Sequence, residues 1–186
     1  MFKKIAIIAL VSTLAAGCAS VPLESAQITK VAKQFDPPSD GSAGLYIYRN
    51  TSLGGAHKIE VWVDGRCIGL TAPYVFFYEE VEGGESHKVS SKPQRFILME
   101  DQTISLEASP NDVLIKAKSG MHYFIQQNIN FWSFGVELVD EEQGKEVVSK
   151  LDMATKGTCG SGRNRNVGKD LYNMQSIGRS LCGMFC

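Results

Sequence analysis

Between Lys58 and Leu70 the chain writes out a hairpin. Ile59, Val61 and Val63 alternate with Lys58, Glu60 and Trp62, the period of two that a strand with one buried face needs. Asp64-Gly65 follows at once, and Cys67-Ile68-Gly69-Leu70 runs apolar again. An Asp-Gly pair between such runs is the strongest short-range hairpin signal a sequence can carry.

Other segments repeat the theme. Leu45-Tyr46-Ile47-Tyr48 is rich in strand formers. Tyr74-Val75-Phe76-Phe77-Tyr78 is apolar on both faces, so one of those faces must find cover, from a second sheet, the N-terminal helix, the tail, or a partner or glycan surface. Gly83-Gly84 turns the chain before His87-Lys88-Val89-Ser90. Further strands are expected at 96–99, 103–106, 112–117, 121–131 and 134–139, and Asp140 to Lys150 is charged enough for one or two helical turns. Many short strands with turns between them and no strand-helix alternation predict an all-β fold, an antiparallel β-sandwich or barrel.

The N-terminus has a different logic. Met1-Phe2-Lys3-Lys4 is basic, Ile5 to Leu14 is apolar, and small residues follow, the order of a secretory signal peptide. The apolar run ends by Gly17, short of the roughly 20 residues a spanning helix needs. Leu14-Ala15-Ala16-Gly17-Cys18 resembles the lipobox of bacterial lipoproteins, in which the cysteine takes a diacylglycerol and signal peptidase II cuts before it. Ala15 stands where that pattern more often has Leu, Val or Ile. The resemblance implies lipidation at Cys18, and Ala19 in place of Asp implies the outer membrane. The expected organisation is a signal peptide over 1–17, a lipidated tether over 18–43 with a short helix opened by Pro22, a sandwich over 44–150 and a Cys-bearing tail over 151–186. Ile28, Val31, Ala32 and Phe35 share one face of that helix.

Loss of Lys3 and Lys4 takes 19 basic residues to 17 against 20 acidic, which argues against a nucleic-acid partner. The tail is the exception: Lys156, Arg163, Arg165, Lys169 and Arg179 face Asp170 alone, and the region before it is near −7. It either folds back on an acidic domain or meets anionic envelope material. Leu171, Met174, Ile177 and Leu181 give it weak helical periodicity. With Cys18 assigned to lipid, Cys67, Cys159, Cys182 and Cys186 form an even set for disulfides in an oxidising compartment, with three pairings open.

Gly44-Leu45-Tyr46-Ile47-Tyr48-Arg49-Asn50, Val61-Trp62-Val63-Asp64-Gly65-Arg66-Cys67-Ile68-Gly69, and Phe77-Tyr78-Glu79-Glu80-Val81 with Gly83-Gly84 and His87 together resemble the DUF2846 lipoproteins. Lys118 to Gln127 and Val136 to Asp140 match that family's later strands. The resemblance implies a small envelope sandwich similar to PEGA modules. These motifs specify turns and strands rather than chemistry.

Catalytic signals are sparse. His57, His87 and His122 show no metal-ligand spacing, and no cofactor is expected. Glu79 and Glu80 are neighbours in a strand, so they point to opposite faces and read as solvated charges. Gly157 to Gly162 lacks the context of a phosphate loop. The sequence therefore reads as a non-enzymatic envelope lipoprotein, held on the periplasmic face of the outer membrane, that contacts an envelope protein or wall polymer. The alternative is an enzyme acting on a cell-wall or lipid substrate through a site formed only in the fold.

Overall fold

The Asp64-Gly65 hairpin forms where the alternation places it. Strands β2 (Ile59–Val63) and β3 (Arg66–Thr71) pair antiparallel. Asp64 and Gly65 have φ of 51° and 77°, the positive values of a type I′ turn. A register shift between Val61 and Trp62 bends the pair. The surrounding architecture comes from a computed structural model that describes residues 20–55, 57–93, 96–97, 103–104, 112–129, 134–157 and 159.

The hairpin belongs to a four-stranded antiparallel sheet of order β3-β2-β5-β8, with β5 at Ser86–Pro93 and β8 at Val113–Lys116. Facing it is a five-stranded sheet of order β10-β9-β1-β4-β11. Its strands are β1 (Ser42–Arg49), β4 (Val75–Glu82), β9 (His122–Ile129), β10 (Phe134–Val139) and β11 (Asp152–Met153). A separate pair, β6 (Phe96–Ile97) and β7 (Thr103–Ile104), projects between β5 and β8 in the chain. The fold is thus an all-β sandwich, as the strand pattern predicts, but not a purely antiparallel one. β9 pairs parallel to β1, and β11 parallel to β4. Both strands re-enter the sheet after long excursions, and only such crossovers permit parallel pairing.

Leu45, Ile47, Phe77 and Ile125 of the larger sheet pack against Val61, Val63, Ile68, Val89 and Ile115 of the smaller one. One end of this core is polar. Arg49 is fully buried and donates to the carbonyls of Leu53 at 2.8 Å and His57 at 2.9 Å, and burial pulls its pKa down to about 10. Beside it the Thr71 hydroxyl donates to the buried Gln127 amide at 2.6 Å, which donates on to Ser91 at 2.8 Å.

The outer face of the five-stranded sheet is covered too. Tyr46, Tyr48, Phe76 and Phe124 form a second apolar cluster under helices α1 (Ala26–Ala32) and α2 (Glu141–Val148). Asp140 caps α2 by accepting from Glu142 N and Gln143 N. A Cβ at Gly144 would stand 2.2 Å from the Phe124 ring, so this helix reaches the sheet only with glycine there.

Three expectations change. The segment read as a tether is stitched into the fold from Val21, which packs, partly buried, against the inter-sheet core. Pro22 O accepts from Thr155 N, Glu24 N donates to Met153 O, and Ser25, not Pro22, opens the helix. Beyond Lys150, residues 152–154 join the large sheet, so the folded body extends past both limits of 44–150. Glu79 is buried rather than solvated, held by Arg66 and by Lys156 Nζ at 2.5 Å. Burial pushes its carboxyl up, but the bonds from Lys156 and Arg66 more than reverse this and leave it below the usual range. Glu79 and Glu80 do point to opposite faces: Glu79 lies at the sandwich edge, Glu80 under α1.

Candidate functional site

α1 begins because the Ser25 side chain accepts from Ile28 N at 3.3 Å, and it ends at Ala32 with Lys33 as its C-cap, ahead of Asp36-Pro37-Pro38. Phe35 takes φ of 55°, a left-handed conformation rare for an aromatic residue. That turn brings its ring edge-on to Tyr46 at 5.2 Å and Phe124 at 5.9 Å. The Tyr46 hydroxyl donates to Ala32 O at 2.8 Å, satisfying a carbonyl at the helix end. The helix is therefore pinned at its C-terminal end, and its rotation is set there. Thr29 is its buried residue; Ala32 and Phe35 pack inward, but Ile28 and Val31 stay 47% and 51% exposed. Of the four apolar residues expected on one face, Ala32 and Phe35 are partly buried against the sheet and Ile28 and Val31 stand exposed.

Between α1 and the sheet this leaves a groove of about 370 Å³, within the range of roughly 300–1,000 Å³ common for ligand sites. Ile28 and Val31 form one wall, Tyr46 and Tyr78 the floor, and Asp36 and Glu80 the rim. The Tyr78 hydroxyl donates to Glu80 at 2.9 Å, and Ser39 N donates to the same carboxylate oxygen at 3.3 Å. Hydrogen bonds from Ser39 and Tyr78 hold the Glu80 carboxyl below its ordinary pKa. Burial, and after it the nearby Asp36, push the Tyr46 phenol well up; burial and then Glu80 do the same for Tyr78. Both phenols stay protonated across ordinary pH, and Glu80 stays charged. Neutral rings beside a fixed negative rim suit an apolar ligand that carries a cation.

His122 closes one end of this region. Its Nε2 donates to Asp36 O at 3.1 Å, and its ring lies edge-on to Tyr46 at 5.4 Å. A Cβ at Gly44 would approach His122 Nδ1 to 2.6 Å and the Tyr78 ring to 2.9 Å, which explains glycine in the middle of β1.

The histidines occupy three separate places. His87 clamps two turns: Nδ1 lies 2.7 Å from Asp64 Oδ2, and Nε2 lies 2.8 Å from Glu82 O. Two oxygen acceptors hold both ring protons, so although burial pulls the His87 pKa down, the Asp64 bond raises it above the ordinary value. Asp64 is depressed: burial raises it, and the bonds from His87 and Lys88 N outweigh that. His57 sits in the loop that caps Arg49. Among the described residues no three His, Cys, Asp or Glu side chains gather as a metal site.

Cys67 and Cys159 are joined in a disulfide across 92 residues. Gly157 N donates to Ile68 O, so the bond ties the edge strand β3 to the chain leaving β11. Cys18, Cys182 and Cys186 lie outside the described residues. The sequence reading missed the groove, since nothing in the spacing of Ile28 and Val31 distinguishes a buried helical face from one left half-covered.

A family model described as "Protein of unknown function (DUF2846)" matches residues 39–139. That stretch holds Tyr46, Tyr78 and Glu80 but stops short of both helices. A Haemophilus influenzae protein described as uncharacterized is 40% identical over 158 residues, 83% of this chain and 85% of the relative.

Proposed function

We propose, from the premise that this chain belongs to the DUF2846 family, that it is a non-enzymatic cell-envelope lipoprotein whose sandwich presents the α1 groove to another envelope protein. Lipid on Cys18 holds it at the periplasmic face of the outer membrane. The observation that carries the binding role is the groove itself: exposed Ile28 and Val31 over the Tyr46–Tyr78 floor, with a rim held negative by Glu80. An apolar segment of a partner, with a Lys or Arg beside it, fits that wall and that rim. A wall polymer of hydroxyl-rich sugars would find fewer polar groups there to pair with.

Two measurements test this. A photoreactive residue at Val31 in intact cells is expected to crosslink to one protein, while the same group at Lys30 gives little. Glu80→Lys should abolish the crosslink while the protein stays folded. Diffuse crosslinks that ignore Glu80→Lys would refute the groove as the contact. Cys18→Ala should move the protein out of the membrane fraction; retention there would refute the anchor.

A further inference from the structure

The outer face of the four-stranded sheet bears exposed Lys88, Lys92 and Lys116, with Lys58 continuing the outward alternation of β2. Trp62 lies among them, half-buried, with Lys92 Nζ 5.0 Å from its ring centroid. Leu114, directly opposite Lys88, is 66% exposed. The acidic partners on this face are engaged: Glu60 is buried and accepts from Trp62 Nε1 at 3.0 Å, and Asp112 pairs with Lys88 at 3.2 Å. Among the described residues no helix covers this face.

The opposite side is net acidic, although α1 carries Lys30 and Lys33 there. α2 and its cap bring Asp140, Glu141, Glu142 and Glu146, and its cations Lys145 and Lys150 are paired to Glu141 and Glu146. A surface of anionic headgroups would attract the lysine face and repel the helical one.

Chain length decides how near such a surface comes. Val21 already packs, partly buried, against the inter-sheet core, only three residues after Cys18. Three extended residues span about 10 Å. A body anchored at Cys18 must therefore lie on the bilayer, with one of its sides against it. The chain enters at the seam beside β3, where Thr155 N meets Pro22 O and Gly157 N meets Ile68 O, and β3 is the edge of the lysine-bearing sheet.

We propose that the outer face of the four-stranded sheet rests on anionic phospholipid headgroups, with its lysines among the phosphates and Trp62 and Leu114 at the interface. The inference rests on the anchor reading of Cys18. Lysine charge supplies attraction to the headgroups, and Trp sits favourably at interfacial depth. Because the lipid anchor already supplies the local concentration, a few lysines suffice to choose the side. The helical layer and its groove then face away from the membrane.

The test uses the full lipidated chain, reconstituted into vesicles of phosphatidylethanolamine with phosphatidylglycerol and, separately, of phosphatidylcholine. Lysine acylation, read by mass spectrometry, reports which side is covered. In the anionic vesicles labelling of Lys88, Lys92 and Lys116 should fall severalfold relative to detergent, with Lys30 and Lys150 unchanged. High salt should restore it, since exposed charges are screened within about 10 Å at 0.1 M. Lys92→Glu combined with Lys116→Glu should remove the remaining protection at Lys88 while the protein still floats with the vesicles. Equal labelling on both sides, or protection of Lys30 and Lys150 instead, would overturn the proposal. Failure to float with phosphatidylcholine vesicles would instead strike at the anchor on which the proposal rests.

Discussion

On the five-stranded sheet the outward positions are Tyr46, Tyr48, Phe76 and Phe124; on the four-stranded sheet they are Glu60, Trp62, Lys88, Ser90, Lys92 and Leu114. The first set is buried under two helices; in the second, Glu60 and Ser90 are tucked among their neighbours, Trp62 is half-buried, and Lys88, Lys92 and Leu114 stand exposed, with no helix over them among the described residues. The contrast follows from position in the fold. β1 and β4 are interior strands with a parallel neighbour each, and strands in such surroundings are usually covered on both faces. β2 and β5 lie in an antiparallel sheet that can present one face to its surroundings. The helical cover is also incomplete. It seals Phe124 and Tyr48 but leaves the strip between α1, Tyr46 and Tyr78 open, and that strip is the groove.

The difference should be measurable as stability. Phe124→Ala removes a fully buried ring from the covered face and is expected to cost about 3–5 kcal/mol in urea unfolding. Trp62→Ala on the bare face should cost clearly less. Equal losses would mean that the bare face is covered after all. Replacing both Cys67 and Cys159 by Ala unties β3 from the chain beyond β11 and should cost about 2–4 kcal/mol, measured the same way in non-reducing buffer. A Cβ placed on Phe124 through Gly144→Ala should cost about 1–3 kcal/mol by overpacking, and hydrogen exchange in α2 should speed up more than in β2.

The smallest effect is a pH dependence on the side of the bare sheet. His87 titrates above its ordinary value near 6.5, so its contribution is full below that and fades as pH rises through the folded pKa. Asp64 titrates below its ordinary value near 3.8, so its contribution holds above that and fades as pH falls through the folded pKa. The stability advantage of the natural chain over His87→Gln should therefore be largest in mildly acidic solution and shrink toward alkaline pH. A melting-temperature difference independent of pH would show that the clamp is not ionic.

Much of this was legible from residues. Period two and Asp64-Gly65 predict β2 and β3, and apolar residues on both faces of 74–78 predict a strand with a face that must find cover. That cover could not be assigned in advance, because the two faces of β4 look alike as a string. Glu79 reads as solvated because its partners Arg66 and Lys156 are distant in sequence and meet it only at the sandwich edge. The pairing of Cys67 with Cys159 is hidden for the same reason. The parallel entry of β9 depends on a crossover, which leaves no local trace. The tether expected over 18–43 leaves no sign of how early the fold begins, because the contact of Val21 with the core depends on residues distant in sequence.

The central claim is that the two outer faces meet different things. Photoreactive groups placed singly at Ile28 and at Leu114 in intact cells test it in one measurement. Crosslinks to protein from Ile28 and to phospholipid from Leu114 are the predicted result. Protein from Leu114 with phospholipid from Ile28, or the same product from both, would contradict it.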